Sequence, residues 1–197
     1  MNKFFIKNKN NIYEKRGFTL IELMVATSIF MMIMLMAMGS IVVASNASKK
    51  AQKVRSTMDN VNFALESMTR SIRMGINYTC QVNDSFAPNA NTGDCQSGGN
   101  SFSFSSLDTG GTISFIREKR GDETYSLSRC EDSVCVPIVS SEVDIERLKF
   151  FVKGSSKTDQ IQPSVYIIIK GSIIYKGEKT SFAIQTMASQ RNIEQSE

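Results

Sequence analysis

Arg16-Gly17-Phe18-Thr19-Leu20-Ile21-Glu22-Leu23 opens the stretch whose reading decides the fold, and an apolar run follows it. From Leu23 to Ala44 there are 22 residues without a formal charge. At the α-helical rise they span about 33 Å, enough to cross the hydrocarbon core of a bilayer. Glu22 is the single acid at the start of this run, and a basic segment precedes it, with Lys3, Lys7, Lys9, Lys15 and Arg16 against Glu14 alone. A carboxylate near a helix N-terminus is favoured by the macrodipole, by roughly 0.3–1 kcal/mol when exposed. Once helices bundle away from water, the same carboxylate needs a cationic partner, and a neighbour's ammonium is the natural one.

A basic leader, Gly17, the aromatic Phe18, Thr19, two aliphatics, Glu22 and a spanning helix follow one another in that order. This resembles a type IV prepilin, the family of type IV pilins, minor pilins, type II secretion pseudopilins and DNA-uptake pilins. The resemblance implies that a prepilin peptidase cuts between Gly17 and Phe18 and that the new amino group of Phe18 is N-methylated. It further implies that Glu22 faces the N-terminus of a neighbouring subunit and that the helix from Phe18 packs in a filament core. The competing reading is a plain signal-anchor helix in which Gly17-Phe18 stands by chance. Residues 1–17 have no separate apolar region and no small-residue cleavage site, so they do not read as an ordinary secretory signal.

Net charge is +4 over 197 residues. The leader 1–17 holds five basic residues and one acid, which leaves 18 of each sign from Phe18 onwards. The basic balance therefore belongs to the leader and argues poorly for nucleic-acid binding. The chain has no His, which excludes imidazole acid–base catalysis and His metal ligation. Six of the 11 Met lie between Met24 and Met38, where they read as apolar filling of a membrane helix rather than metal handling. Basic residues on both sides of the span, with Lys49, Lys50, Lys53 and Arg55 following it, give little help with orientation. The motif and the cysteines place the C-terminal part outside the cytoplasm.

Gly39-Ser40 is the weak point of the span, open to two readings: local loosening, or a small residue for close helix packing. Many major pilins carry Pro at the matching position. Beyond the span, Ala47, Ala51, Val54, Met58, Val61, Leu65, Met68 and Ile72 recur at spacings of four and three. That narrow stripe predicts a helix from Phe18 to Met74, stopped at Gly75, with the second half packed on the protein's own sheet rather than in a free coiled coil. Ile76 to about Ser101 reads as a polar loop. Short β-rich runs follow at Ser101–Leu107, Thr112–Arg117, Thr124–Cys130, Val134–Val139, Val143–Val152, Val165–Ile174 and Lys179–Met187, mostly as antiparallel hairpins. The tail after Ser189 is polar.

Cys80, Cys95, Cys130 and Cys135 allow three pairings, of which nearest-neighbour pairing is favoured. Cys80–Cys95 would staple the polar loop and Cys130–Cys135 a tight hairpin, contributing about 3 and about 2 kcal/mol by loop entropy. Spacings of fifteen and five suit a four-Cys zinc site badly. Disulfides imply an oxidising compartment.

Candidate chemistry is sparse. Asp144 and Glu146 share a strand face, which reads as solvated surface rather than an acid–base pair. Arg117, Lys119 and Arg120 form a small basic cluster in an expected turn, and Tyr166 and Tyr175 stand near Lys170 and Lys176 in sequence. Either group could touch DNA but reads first as solvated surface. Leu148–Gly154, Gln162–Val165, Phe182–Thr186 and Ser189–Arg191 look like the final strands of large minor pilins and J-type minor pseudopilins, and Ala64–Arg70 looks like their helix end.

The expectation is an α+β, pilin-like fold: leader 1–17, spanning helix 18–45, amphipathic continuation 46–75 and an extracytoplasmic β-rich domain 76–197. The expected function is that of a minor pilin or pseudopilin in a type IV pilus or type II secretion-like filament. Its partners would be prepilin peptidase, other pilin subunits, the inner-membrane assembly platform and membrane lipid. It would sit single-pass in the cytoplasmic membrane and then in an extracellular or periplasmic filament. No catalytic residue, metal, cofactor or small-molecule substrate is expected. The alternatives are a pilus-tip adhesin or DNA-uptake module on the same helix, and a membrane-anchored enzyme.

Overall fold

The computed structural model describes residues 17–82, 93–107, 109–121, 123–132, 134–156 and 161–191. The leader up to Arg16, the centre of the expected polar loop, Asp122, Ser133 and the tail from residue 192 lie outside the described residues. The chain divides into two compact units, one ending at Ser48 and one beginning at Lys49.

Helix α1 runs from Leu20 to Arg73, 54 residues. In the first unit every described residue is exposed, including Leu, Ile, Met, Val and Phe side chains. This part of the helix is long and apolar enough to cross a membrane. Its hydroxyls bond back within the helix: Thr27 Oγ1 donates to Met24 O (3.0 Å), Ser28 Oγ to Val25 O (2.8 Å) and Ser40 Oγ to Met36 O (3.2 Å). No polar side chain of the run is thereby left for lipid to satisfy. The helix continues through Gly39-Ser40 without a break.

In the second unit nine strands follow: β1 Gly75–Gln81, β2 Cys95–Gly99, β3 Ser101–Ser106, β4 Thr112–Lys119, β5 Tyr125–Glu131, β6 Val134–Pro137, β7 Val143–Lys153, β8 Ser164–Tyr175 and β9 Glu178–Ser189. They form two antiparallel sheets where one was expected, a five-stranded sheet β1-β3-β4-β5-β6 and a four-stranded sheet β2-β7-β8-β9. The segment expected to be loop thus contains β1 and β2. Two causes hide them. A bulge between Ile76 and Thr79, with Asn77 at φ 57°, breaks the alternation of β1. Strand β2, Cys-Gln-Ser-Gly-Gly, has no strand-favouring residue and exists through its pairing with β7.

The helix stripe, both sheets and an aromatic cluster make one core. Val61, Leu65, Met68 and Ile72 are buried, widened by Ala64 and Thr57. Ala47 and Ala51, the first two positions of the expected stripe, are exposed, so packing on the sheets starts near Val54. Each buried Leu, Ile, Val or Met contributes about 1.5–3 kcal/mol. Phe102 of one sheet stacks on Phe150 of the other at 5.4 Å. The Tyr78 hydroxyl donates to Ile72 O (2.6 Å), tying β1 to the last helical turn. Burial pushes that hydroxyl far up, so it stays neutral and remains a donor. Gly75 does not act as a left-handed helix stop: it is the first residue of β1. A Cβ there would lie 2.1 Å from Phe104 Cδ2, so glycine is required for ring packing.

The link between β6 and β7 is pinned from two sides. Arg120 donates to the carbonyls of Val139 (3.3 Å), Ser140 (3.2 Å), Ser141 (3.0 Å) and Val143 (3.2 Å) and to Ser126 Oγ (2.9 Å). From the helix, Asn60 Oδ1 accepts Ser140 N–H (2.8 Å) and Lys53 pairs with Glu142 (2.5 Å). Lys50 pairs with Glu178 at the β8–β9 turn.

Arg120→Met keeps the aliphatic stem but orphans these carbonyls, and is expected to lower unfolding stability by about 2 kcal/mol in urea titrations. The hydrogen bond from Lys53 holds Glu142 below the usual carboxylate range, and that from Lys50 does the same for Glu178. A carboxylate depressed on folding stabilises above its unfolded value and loses that contribution as pH falls through its folded one. Acidification below about pH 4 is therefore expected to strip hydrogen-exchange protection from the helix around residues 50–56 before the strand core opens.

Candidate functional site

The residues singled out at the N-terminus come together within one helical turn. Gly17, Phe18 and Thr19 precede the helix, and Phe18 is 87% exposed. Thr19 is the N-cap and its carbonyl accepts the first helical bond, from Leu23 N (3.2 Å). Glu22 N–H donates to Thr19 Oγ1 (3.3 Å), while Thr19 N–H (3.2 Å) and Oγ1–H (3.1 Å) donate to Glu22 Oε2. This is a reciprocal capping box, in which the side chains at N-cap and N3 satisfy each other's backbone donors. The Thr-x-x-Glu spacing could have disclosed it, but a reading of Glu22 as a charge beside the macrodipole passes over it.

Two consequences follow from this geometry. The Gly17–Phe18 peptide lies outside the helix, free of the ladder that would shield its carbonyl. The Glu22 carboxylate is aimed back along the chain towards Phe18. Both intrachain bonds use Oε2, so Oε1 has no hydrogen-bond partner among the described residues. The site can therefore accept one further donor, best a cation. Ile21, Val25, Ala26 and Ile29 flank the carboxylate in a shallow apolar hollow. A second notch, lined by Leu35, Met36, Val43 and Ala44, opens at Gly39-Ser40.

Cys80 is bonded to Cys95, and Cys130 to Cys135. The first bond joins β1 of the five-stranded sheet to β2 of the four-stranded sheet, so it links two sheets rather than stapling a loop. The second crosses the β5–β6 hairpin between directly paired positions.

The remaining candidates separate. Asp144 and Glu146 converge on Lys179 (3.8 and 2.8 Å), and Asp144 Oδ1 also accepts Tyr125 N–H (2.9 Å). The hydrogen bond from Lys179 holds Glu146 below the usual carboxylate range, and the two acids form an ion-pair cluster with Lys179 on a face that stays partly exposed. Arg117 and Lys119 lie on β4, not in a turn. The Arg117 guanidinium sits 4.1 Å over the Tyr125 ring and donates to Glu146 O (2.9 Å). With Arg120 occupied as described, two of these three cations serve the fold. Lys176 covers the Tyr175 ring at 5.6 Å.

Residues 14–38 match the family model for the prokaryotic N-terminal methylation motif. No curated protein and no solved structure is significantly similar to the chain. The motif implies processing by prepilin peptidase and assembly with other pilin subunits, and it points to a structural subunit rather than an enzyme. With its long apolar helix it also suggests membrane anchoring. The chain carries the N-terminal motif that marks type IV prepilin- and pseudopilin-like proteins, on an α+β, pilin-like architecture.

Proposed function

We propose that the chain is a minor pilin or pseudopilin of a type IV pilus or type II secretion-like filament. It is cut between Gly17 and Phe18 and N-methylated on Phe18. An inner-membrane assembly platform then moves it from the lipid into a helical bundle, with its C-terminal unit on the extracytoplasmic side. The observation that carries this reading is the Glu22 carboxylate, fixed by Thr19 on one oxygen and open on the other, at the head of an uncovered apolar helix. In a bundle of such helices, the open oxygen receives the ammonium of a neighbour's Phe18. An unpaired carboxylate in that setting would cost several kcal/mol. The disulfides support the side of the membrane, since they persist in oxidising compartments. The fully exposed span supports the bundle, since only lipid or like helices suit it.

The first test is intact mass and N-terminal sequencing of the membrane-extracted protein from cells with active prepilin peptidase. A chain beginning at methylated Phe18 is expected, and retention of residues 1–17 would overturn the reading. The second separates the cap from the charge. Glu22→Gln keeps an acceptor for the Thr19 N–H but removes the charge. It is expected to be cleaved and membrane-inserted like the parent, yet to be lost at least tenfold from sheared filaments, as is Glu22→Ala. Normal incorporation of Glu22→Gln would show that Glu22 does not act through charge.

A further inference from the structure

We propose that the outward face of the four-stranded sheet is a docking surface for a single-stranded nucleic acid. The inference does not rest on the filament reading. Residues alternate across a strand, so one face of β7, β8 and β9 turns to the core and the other away. On the outward face, Phe151 pairs with Tyr166 and Tyr166 with Met187 in one row, and Lys149 pairs with Ile168 in the next. In the third row Arg147 stands directly opposite Lys170.

That last pairing is the informative one. Like charges directly opposite across an antiparallel pair are destabilising. Among the described residues, Arg147, Lys149 and Lys170 have no ion-pair or hydrogen-bond partner. The acids nearest these cations, Asp144 and Glu146, are both engaged by Lys179. Beside β7, Arg147 and Lys149 also line a cavity of about 430 Å³ together with Asn100 and Glu146. An anion seated between Arg147 and Lys170 would turn their repulsion into attraction.

The aromatic row selects the kind of anion. Phe151 lies against the backbone of Gly98, where a Cβ would come within 2.7 Å of the ring, so the side chain is held in place by the neighbouring strand. Tyr166 beside it is 40% exposed. Aromatic side chains on an open sheet face, flanked by unpaired cations, suit unstacked bases followed by phosphates. A duplex hides its base faces and a sulfated polysaccharide has none, so the platform favours a single strand over either.

The test measures anisotropy of fluorescein-labelled oligothymidylate with the full chain in non-ionic detergent, over a range of salt concentrations. The leader's cations are common to all variants, so each effect is read as a difference from the parent. Tyr166→Ala is expected to weaken binding roughly tenfold with the salt slope unchanged. The double variant Arg147→Gln with Lys170→Gln is expected to flatten the log–log salt slope by roughly 1.4, at about 0.7 per phosphate contact. It should also melt at the parent's temperature or higher, because it removes a repulsive pair. Equal affinity for heparin or duplex with no effect of Tyr166→Ala would overturn the proposal in favour of unspecific polyanion attraction. Absence of binding, or binding indifferent to all three substitutions, would also overturn it.

Discussion

The architecture depends on where the apolar surface of a single 54-residue helix goes. Its second half has an answer within the chain. Val61, Leu65, Met68 and Ile72 close over the inner faces of two sheets, and the sheets could not bury Phe102, Phe150 and Ile167 without that cover. Its first half has no such cover among the described residues, since none of those in the first unit is buried. An uncharged run of that length has only lipid or like helices as partners, and it can pass from one to the other because both are equally apolar. What distinguishes the two environments is the polar end of the run. In lipid, Glu22 remains beside water at the interface. In a helical bundle it needs a cation. One carboxylate can thus be tolerable in the first state and binding in the second, provided it is already aimed.

The capping box supplies that aim. Thr19 and Glu22 fix each other through three hydrogen bonds within one turn, so the direction of the carboxylate is set before any partner arrives. The same arrangement decides where the helix begins, and hence that Gly17 and Phe18 stay outside it. A single local motif therefore both leaves the Gly17–Phe18 peptide outside the helix and orients the Glu22 carboxylate. Economy of this kind is physically reasonable at a helix N-terminus, where unsatisfied N–H groups already favour an acceptor.

Within the second unit, arginine is used as mortar. Arg120 gathers four carbonyls from an irregular link, and Arg117 stacks on Tyr125 and holds a β7 carbonyl. Both do what a planar, always-charged donor fork does better than lysine. Their engagement removes them from any surface reading and shifts attention to Arg147, Lys149 and Lys170, which the fold leaves unpartnered on an open sheet face.

The sequence alone determined the elements whose signals are local or strictly periodic. The span from Leu23 to Ala44 follows from absent charge. The motif from Arg16 to Leu23 follows from order, and the helical continuation from spacings of four and three. The seven strands from Ser101 onward follow from alternation broken by Gly. Only the tertiary structure decided what depends on partners distant in sequence. Strands β1 and β2 carry no pattern of their own and exist because β3 and β7 pair with them. Two sheets form instead of one because β1 pairs with β3 while β2 pairs with β7, and Cys80–Cys95 and the Phe102–Phe150 stack then join the two across the core. Gly75 is needed for a ring that arrives from β3. The fate of each charged residue was equally hidden: whether a cation serves the fold or stands free depends on which carbonyls and carboxylates the topology brings beside it, and composition carries no trace of that.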